Sequence, residues 1–398
     1  MQQNSLLEQS VPMQQYPSYG WNGYSVQNHQ SQNPHFNSNP MTSVANNEIK
    51  MNFTQYSEDE ALINKPDDES DASKSTSHGK SQNLNVSSEM VAKSKSALTS
   101  ESCLQLAKDQ SGWRMLQKRL EDGDLQEHQT LYQLILPNFV ELMNNPFGNY
   151  LCQKITEKCN KDQLKEIIDI ISTDAVRIWW NQHGTRAIQK IVECASDQDL
   201  KDMIINVLKD DVKTLVEDIN GNHAIQKMLF TFKAPNNEFI FEKMIDQWKE
   251  IACHKHGCCV MQKCIQGADD QQRSRLIDEI IKNTQVFVRN PYGNYVVQFV
   301  LDLKDFDINT RVGKELLGSL IELGNQKYSS NVIEKWLELN HREIKDEMVK
   351  EMLTANTYID FLTDQYGNYV IQKTLGVADA DDLEKLIAKI KPDMEKLK

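Results

Sequence analysis

One six-residue pattern recurs along the chain at a nearly constant interval, and this recurrence limits the fold more than any other feature of the sequence. Its eight copies begin at Gly112, Gly148, Gly184, Gly221, Gly257, Gly293, Ser329 and Gly367. Successive copies begin 36 to 38 residues apart. A fixed period of this length is typical of a helical solenoid, in which each repeat packs its apolar face against the next repeat.

Polar residues recur in this pattern as regularly as apolar ones. Six of the eight copies have a polar residue at the second position, and all eight have Gln or Glu at the sixth. On a helix these two positions lie on one face, one turn apart. Because packing alone needs no polar pair, the pair indicates a functional surface that continues from repeat to repeat.

One period, residues 161–195, shows the structure expected of each repeat. Apolar residues follow helical spacing over 161–172, and residues 173–180 form a second, shorter apolar stripe. A turn is expected at 181–184, followed by a third stripe that contains the polar pair. Three short helices in each period predict an all-α fold.

Composition divides the chain into two parts. Hydrophobic residues make up 39% of the chain and charged residues 25%, so a folded core is expected. Residues 1–96 are rich in Gln, Asn and Ser without periodicity, and we predict a disordered tail there. Residues 97–398 form the predicted repeat domain, with a short cap at 381–390. The segment 85–105, where an N-terminal capping half-repeat would lie, has a weak helical pattern.

Net charge argues against nucleic-acid binding at first sight. The chain carries a formal charge of −13, whereas nucleic-acid binders are usually basic. However, a lysine follows the Gln or Glu of the pair in seven copies, and acidic residues concentrate in the other predicted helices. If charge is separated by face in this way, the local potential can still attract phosphate.

Localisation is expected to be cytoplasmic. The first residues do not resemble a secretory signal, and the sequence contains no uncharged apolar stretch of about 18 residues. The eight cysteines lie mostly within helical patterns, as reduced cysteines do.

Four segments resemble the Pumilio (PUF) family of RNA-binding proteins. They are NPFGNYLCQK at 145–154, NPYGNYVVQF at 290–299, KYSSNVIEKW at 327–336 and DQYGNYVIQK at 364–373. The resemblance covers about residues 101–398 and eight repeats. It implies a right-handed, curved α-solenoid of eight three-helix PUF repeats. In this family each repeat recognises one base of single-stranded RNA with two or three side chains.

The hydrogen-bonding groups of the pairs suit particular bases. An Asn and Gln pair supplies donors and acceptors for uracil, a Glu carboxylate accepts the two adjacent donors of guanine, and a small residue beside Gln suits adenine. The uracil pairs are Asn149 with Gln153, Asn222 with Gln226, Asn294 with Gln298, and Asn368 with Gln372. The guanine pair is Ser330 with Glu334, and the adenine pairs are Cys258 with Gln262 and, with a poorer fit, Thr185 with Gln189. In the first copy Trp113 accompanies Gln117, which leaves the base of that repeat unassigned.

The residue after the first member of each pair points about 100° away around the helix, where it can stack between successive bases. These stacking positions are Arg114, Tyr150, Arg186, His223, Cys259, Tyr295, Asn331 and Tyr369. Cys259 is a poor stacking platform.

Family members bind RNA antiparallel to the protein chain. The resemblance therefore implies that repeats eight to two recognise U-G-U-A-U-A-U, followed by the base that the family commonly places at repeat one, A. This sequence is similar to the UGUA-type elements of mRNA 3′ untranslated regions. The resemblance also implies a monomer that represses translation or promotes mRNA decay by recruiting repressor or deadenylase proteins.

Two alternatives remain at this stage. The chain could be a protein-binding scaffold like other α-solenoids, or a nucleolar PUF relative in ribosome assembly, although such relatives usually lack regular base-recognition pairs. An enzyme is not expected, because we find no catalytic Ser/His/Asp arrangement and no phosphate-binding glycine loop. The run CHKHGCC at 253–259 resembles a zinc cluster, but the repeat register accounts for it, so no metal or cofactor is predicted.

Overall fold

The computed structural model describes residues 98–339, 341–354 and 358–396, and within them every regular element is helical. The predicted tail, residues 1–96, and the first residue of the predicted domain lie outside these ranges. The third helices, which contain the recurring pattern, span Gly112–Asp122, Gly148–Lys158, Gly184–Cys194, Gly221–Thr231, Gly257–Gly267, Gly293–Asp302, Ser329–Leu337 and Gly367–Val377.

Two further helices precede the third helix in repeats two to eight. The first helices span Leu125–Ile135, Lys161–Ser172, Gln198–Leu208, Glu238–Asp246, Asp270–Lys282, Phe306–Leu316 and Arg342–Thr354. The second helices, including that of repeat one, span Ser100–Ala107, Phe139–Met143, Ala175–Trp180, Val212–Glu217, Trp248–Ala252, Thr284–Arg289, Leu320–Gly324 and Tyr358–Thr363. A last helix, Ala380–Lys396, packs on repeat eight and extends beyond the predicted cap.

The repeats stack through equivalent helices into a right-handed, curved α-solenoid. Each third helix packs against the third helices of its neighbours, so the eight of them form one continuous face. Leu164, Ile167 and Ile171 of the first apolar stripe are buried, as their spacing predicts. One apolar core continues through the described repeats. No helix among the described residues is long and apolar enough to cross a bilayer.

The expectation of a weak helix at the N-terminal end was wrong for part of that segment. Residues Ser100–Ala107 form the second helix of repeat one. Thr99 and Ser102 form a reciprocal capping box: the Ser102 backbone N–H donates to Thr99 Oγ1 at 3.2 Å, and the Thr99 N–H donates to Ser102 Oγ at 2.9 Å. This cap satisfies two N–H groups that a helix start would otherwise leave without partners.

A close approach explains why glycine begins seven of the eight third helices. A Cβ atom on any of these glycines would lie 3.0 Å or less from the carbonyl oxygen six residues earlier, at the end of the second helix. Repeat seven has Ser329 instead, and its hydroxyl donates a hydrogen bond to the equivalent oxygen, that of Leu323, at 2.6 Å. The serine therefore converts a close contact into a hydrogen bond.

We expect Gly257→Ala to lower the free energy of unfolding by about 1–3 kcal/mol, the usual effect of forcing extra atoms into a packed site. Its Cβ would press against the Ile251 carbonyl. Gly376→Ala is the matched control: apart from its chain neighbours and its own helix backbone, no atom lies within 4 Å of its added Cβ, and alanine should stabilise the helix by about 0.5–1 kcal/mol. Urea denaturation of both variants measures this, and equal effects would contradict the steric explanation.

Candidate nucleic-acid interface

The polar pairs lie along the continuous face of third helices, at different depths. The first member is buried in repeats two to seven: Asn149, Thr185, Asn222, Cys258, Asn294 and Ser330. The second member is partly exposed in repeats one to seven and exposed in repeat eight: Gln117, Gln153, Gln189, Gln226, Gln262, Gln298, Glu334 and Gln372. The glutamine or glutamate side chain is therefore the member of each pair that reaches the surface.

Each Asn and Gln pair is joined by a hydrogen bond. The glutamine Nε2 donates to the asparagine Oδ1 at 2.8–3.1 Å, from Gln153 to Asn149, from Gln226 to Asn222, from Gln298 to Asn294 and from Gln372 to Asn368. The Asn149 amide nitrogen in turn donates to the backbone carbonyls of Asn145 and Pro146, at 2.9 and 3.0 Å. Because two carbonyls can only accept, they fix the orientation of the asparagine amide.

This arrangement gives the two amides different roles. The sequence predicted that both amides contact the base, but the asparagine N–H groups donate to carbonyls of their own helix turn. The asparagine thus positions the glutamine, which retains a carbonyl oxygen and a second N–H beyond the bond between them. One acceptor and one donor in a plane match two of the three hydrogen-bonding groups on the Watson–Crick edge of uracil.

Three glutamines in the middle of the array show how the first member of the pair decides this geometry. Gln226 is held by Asn222, since its Nε2 donates to the Asn222 Oδ1 at 2.8 Å. Gln189 and Gln262 lie at the same partly exposed depth, but their partners have no amide that could hold them in this way. The uracil assignment of Gln226 and the adenine assignments of Gln189 and Gln262 stay predictions.

In the two repeats assigned to adenine, the small residue beside the glutamine directs its polar atom to a backbone carbonyl. The Thr185 hydroxyl donates to the Asn220 carbonyl of the next repeat at 3.3 Å, and Cys258 Sγ lies 3.3 Å from the Lys255 carbonyl oxygen. Neither atom is therefore directed to the surface beside its glutamine. If these two repeats recognise adenine, Gln189 and Gln262 supply the hydrogen bonds, and the small partner leaves room for the base.

Repeat one lacks the paired arrangement. Gln117 Nε2 donates to Glu121 at 2.8 Å on its own helix. Trp113, the residue at the first position, has no amide to hold Gln117. No base could be assigned to this repeat from the sequence. The structure gives the reason, because Gln117 has no amide partner at position 113 and bonds to Glu121 instead.

Glu334 is the carboxylate on this face that the guanine assignment requires. Its pKa is raised above the ordinary glutamate value because burial disfavours the charged form, while Lys373 lowers it and Glu338 raises it. Ser330, its partner, donates to the Lys327 carbonyl at 3.4 Å. A partly buried carboxylate with few donors is well placed to gain from donors on a ligand.

The stacking positions differ in how much surface they offer. Tyr369 is 38% exposed and Tyr295 is partly buried, so both present part of a ring. Tyr150 is covered on one side by Trp113, with ring centroids 5.1 Å apart. Asn331 bends back to donate to the Lys327 carbonyl at 3.1 Å. The partly exposed side chains at the other middle positions are Arg186, His223 and Cys259, whereas Arg114 at the end is exposed.

The lysines after the pairs do not form a free positive row. Five of the seven make ion pairs: Lys154, Lys190, Lys227, Lys335 and Lys373. Lys190 lies 3.1 Å from Glu157 of repeat two and 2.7 Å from Glu193 of its own repeat. Acidic residues therefore lie beside these lysines, and the predicted separation of charge by face is incomplete.

One recurring residue of the site was not predicted from the sequence. An Asn or Asp three residues before the glycine accepts backbone N–H groups and so begins the third helix; Asn145, for example, accepts from Phe147 and Gly148, both at 2.9 Å. Asn181, Asp218, Asn290 and Asp364 do the same. The signal was present, because the residue recurs in register with the pattern.

Comparisons with known proteins agree with this architecture. A family model described as a NOP9-like PUF repeat domain matches residues 69–360, and one described as a Pumilio-family RNA binding repeat matches residues 358–391. Among solved structures, the chain is similar to the Puf4 RNA binding domain bound to an HO endonuclease RNA 3′ UTR recognition sequence. That match has 35% identity and a TM-score of 0.66 and covers 72% of this chain and 91% of that one. Yeast Puf5p bound to AAT2 RNA gives 31% identity and a TM-score of 0.59, with 76% and 91% covered.

Curated relatives give the same result. The chain is 38% identical over 291 residues to putative pumilio homolog 8, chloroplastic, of Arabidopsis thaliana, covering 72% of this chain and 56% of that protein. It is 36% identical over 296 residues to Pumilio homolog 12 of the same plant, covering 74% and 50%. The chain spans about half the length of the curated relatives that it matches. From the repeats, their geometry and these matches, the chain belongs to the Pumilio (PUF) family.

Proposed function

We propose that this protein binds single-stranded RNA in a sequence-specific way along the face of its third helices. The observation that carries this proposal is the repeated hydrogen bond between Asn and Gln, which holds four glutamines in one geometry at the surface. Apolar packing between repeats does not require such hydrogen bonds at the surface. Similar Puf domains have been solved with RNA, which supports the same interpretation.

The proposed element is UGUAUAU, recognised by repeats eight to two, with A commonly placed at repeat one in this family. Elements of this type in mRNA 3′ untranslated regions would make the protein a post-transcriptional repressor of translation or mRNA stability. We propose that it acts in the cytoplasm as a monomer and recruits repressor or deadenylase proteins. Its role is binding, without catalysis of its own.

Selection from a randomised RNA library with the full chain tests this proposal. We expect the selected RNAs to share a UGUA-containing element. A variant with Gln298→Ala and Gln372→Ala is expected to lose the uracils assigned to repeats six and eight while it retains the rest. If no common element is selected, the protein-binding scaffold becomes the better hypothesis.

Recognition of guanine by Glu334 predicts a pH dependence. Burial raises the pKa of Glu334 in the free protein, whereas guanine N–H donors favour the ionised form and lower its pKa in the complex. Affinity for UGUAUAU should therefore be constant above the raised pKa of the free protein. It should fall as the pH is lowered through that pKa, because the proton must leave before guanine binds.

Fluorescence anisotropy from about pH 4 to pH 7, a range that begins near the ordinary glutamate pKa, measures this effect. Glu334→Gln is the control, because it removes the titrating group and keeps the shape of the side chain. The ratio of the two affinities isolates Glu334 from other acidic groups and from the RNA. A ratio that does not change with pH would contradict the contact between Glu334 and guanine.

A further inference from the structure

Repeat one departs from the other repeats at the first position of its pair. The equivalent residues of repeats two to eight are Asn, Thr, Cys or Ser, and most are buried. Trp113, by contrast, is only partly buried. Its ring lies instead on the ring of Tyr150, with centroids 5.1 Å apart and an interplanar angle of 23°.

Trp113 occupies the place where a base would stack on Tyr150. Tyr150 is the stacking residue of repeat two, and Trp113 approaches it from the side of repeat one. A base between the two rings would need a separation of roughly 7 Å, twice the spacing of stacked bases at roughly 3.4 Å. The observed 5.1 Å between centroids leaves no room for a base.

Two neighbouring side chains are consistent with this arrangement. Gln117 donates to Glu121 at 2.8 Å and so faces along its own helix instead of toward residue 113. The Arg114 guanidinium carbon lies 5.9 Å from the centroid of the Trp113 ring, within range of a cation–π contact. Repeat one therefore has an aromatic side chain in place of a base and lacks the amide pair that would recognise one.

We propose that Trp113 ends the stack of bases by capping Tyr150, so that repeat one recognises no base. The readout then stops at the seventh base, and the eighth nucleotide contributes no sequence preference. This inference rests on the proposed function, since it concerns the end of the same RNA site. It makes Trp113 the residue that sets the length of the recognised element.

The test measures the affinity of the full chain for UGUAUAU and for the four RNAs that extend it by A, G, U or C. The wild-type protein should bind all five within about threefold. Trp113→Ser gives repeat one the serine that repeat seven has at the equivalent position, Ser330. The substitution should expose Tyr150. The variant should then bind the extended RNAs roughly fivefold to a hundredfold more tightly than UGUAUAU, the usual contribution of one stacked base.

Trp180→Ser is the matched control. Trp180 is a tryptophan that is 47% exposed on a second helix, and it is neither a member of a base-recognition pair nor at a stacking position. Its substitution should leave all five affinities unchanged. A wild-type preference for one eighth base, or a loss above tenfold on removing that base, would overturn the proposal. An RNA with 2-aminopurine at position eight gives a second readout that needs no variant: its fluorescence should be unchanged on binding, and quenching by stacking would overturn the proposal.

Failure of the broader proposed function has a different signature. In that case ACAAUAU would bind the wild-type protein as well as UGUAUAU does. If UGUAUAU is preferred but the eighth base also matters, only the role of Trp113 is wrong.

Discussion

RNA of sequence UGUAUAUA is expected to bind the full chain at least about a hundredfold more tightly than the same RNA with ACA in place of UGU. Three mismatches at about 1–3 kcal/mol each, by analogy with DNA-site readout, give about 3–9 kcal/mol. A factor of ten corresponds to about 1.4 kcal/mol, so even the lower limit exceeds a hundredfold. Fluorescence anisotropy at one fixed salt concentration measures the difference.

The three substituted bases are those that we assign to repeats eight, seven and six. The central change has the clearest physical cause, because guanine has two adjacent donors for the Glu334 carboxylate, whereas cytosine has a single amino donor and two acceptors, N3 and O2. Acceptors that face a carboxylate without a donor between them lose their hydrogen bonds on binding. The outer changes place adenine against Gln372 and Gln298, whose amides are held by Asn368 and Asn294.

An RNA with three changes in its flanking nucleotides is the control for this measurement. It has as many altered bases but keeps the UGUAUAUA element, so its affinity should match that of the unaltered RNA. Weak binding that is equal for all three RNAs would contradict the hypothesis that the protein recognises bases. The scaffold hypothesis would then be preferred.

The periodicity of the sequence was enough to predict the array, because each helix repeats its apolar spacing. The boundaries predicted from residues 161–195 agree with helices at Lys161–Ser172, Ala175–Trp180 and Gly184–Cys194. The register also placed Asn149 and Gln153 on one face of one helix, and they lie in hydrogen-bond contact at 3.1 Å. These features depend on local spacing, which a single sequence contains.

Other features depend on atoms distant in sequence or on competition between partners. Nothing in the sequence shows that the Asn149 amide donates to Asn145 and Pro146, because that outcome depends on two carbonyls at the start of the helix. The pairing of Lys190 with Glu157 depends on the distance between neighbouring repeats. The sequence therefore predicted a free positive row of lysines, whereas five of the seven make ion pairs in the structure.

Ser330→Asn combined with Glu334→Gln is expected to change the base preferred by repeat seven from guanine to uracil. The change replaces the one carboxylate pair by the Asn and Gln pair of repeats two, four, six and eight. The helix start provides the required acceptors: the backbone N–H of Ser330 bonds to the Gln326 carbonyl at 3.1 Å, as that of Asn149 does to the Asn145 carbonyl at 3.2 Å. An asparagine at 330 should therefore orient a glutamine at 334.

The measured quantity is the ratio of affinities for UGUAUAU and UUUAUAU. The wild-type protein should favour the first by about 1–3 kcal/mol and the double variant the second by a similar amount. The difference in binding free energy between the two RNAs should therefore change by about 2–6 kcal/mol. The ratio of affinities should change on the order of thirtyfold to ten-thousandfold. Loss of a contact would only weaken binding to the preferred RNA. A reversal of the preference from guanine to uracil therefore requires new contacts to uracil.

Glu338→Gln separates this effect from a simple loss of negative charge. Glu338 lies on the surface directly after the third helix of repeat seven and pairs with Lys373, but it belongs to no base-recognition pair. This control should keep the preference for guanine. If the double variant also still prefers guanine, the register between repeats and bases is wrong. If both variants lose the preference, charge near repeat seven, and not the hydrogen-bonding pattern of the pair, selects the base.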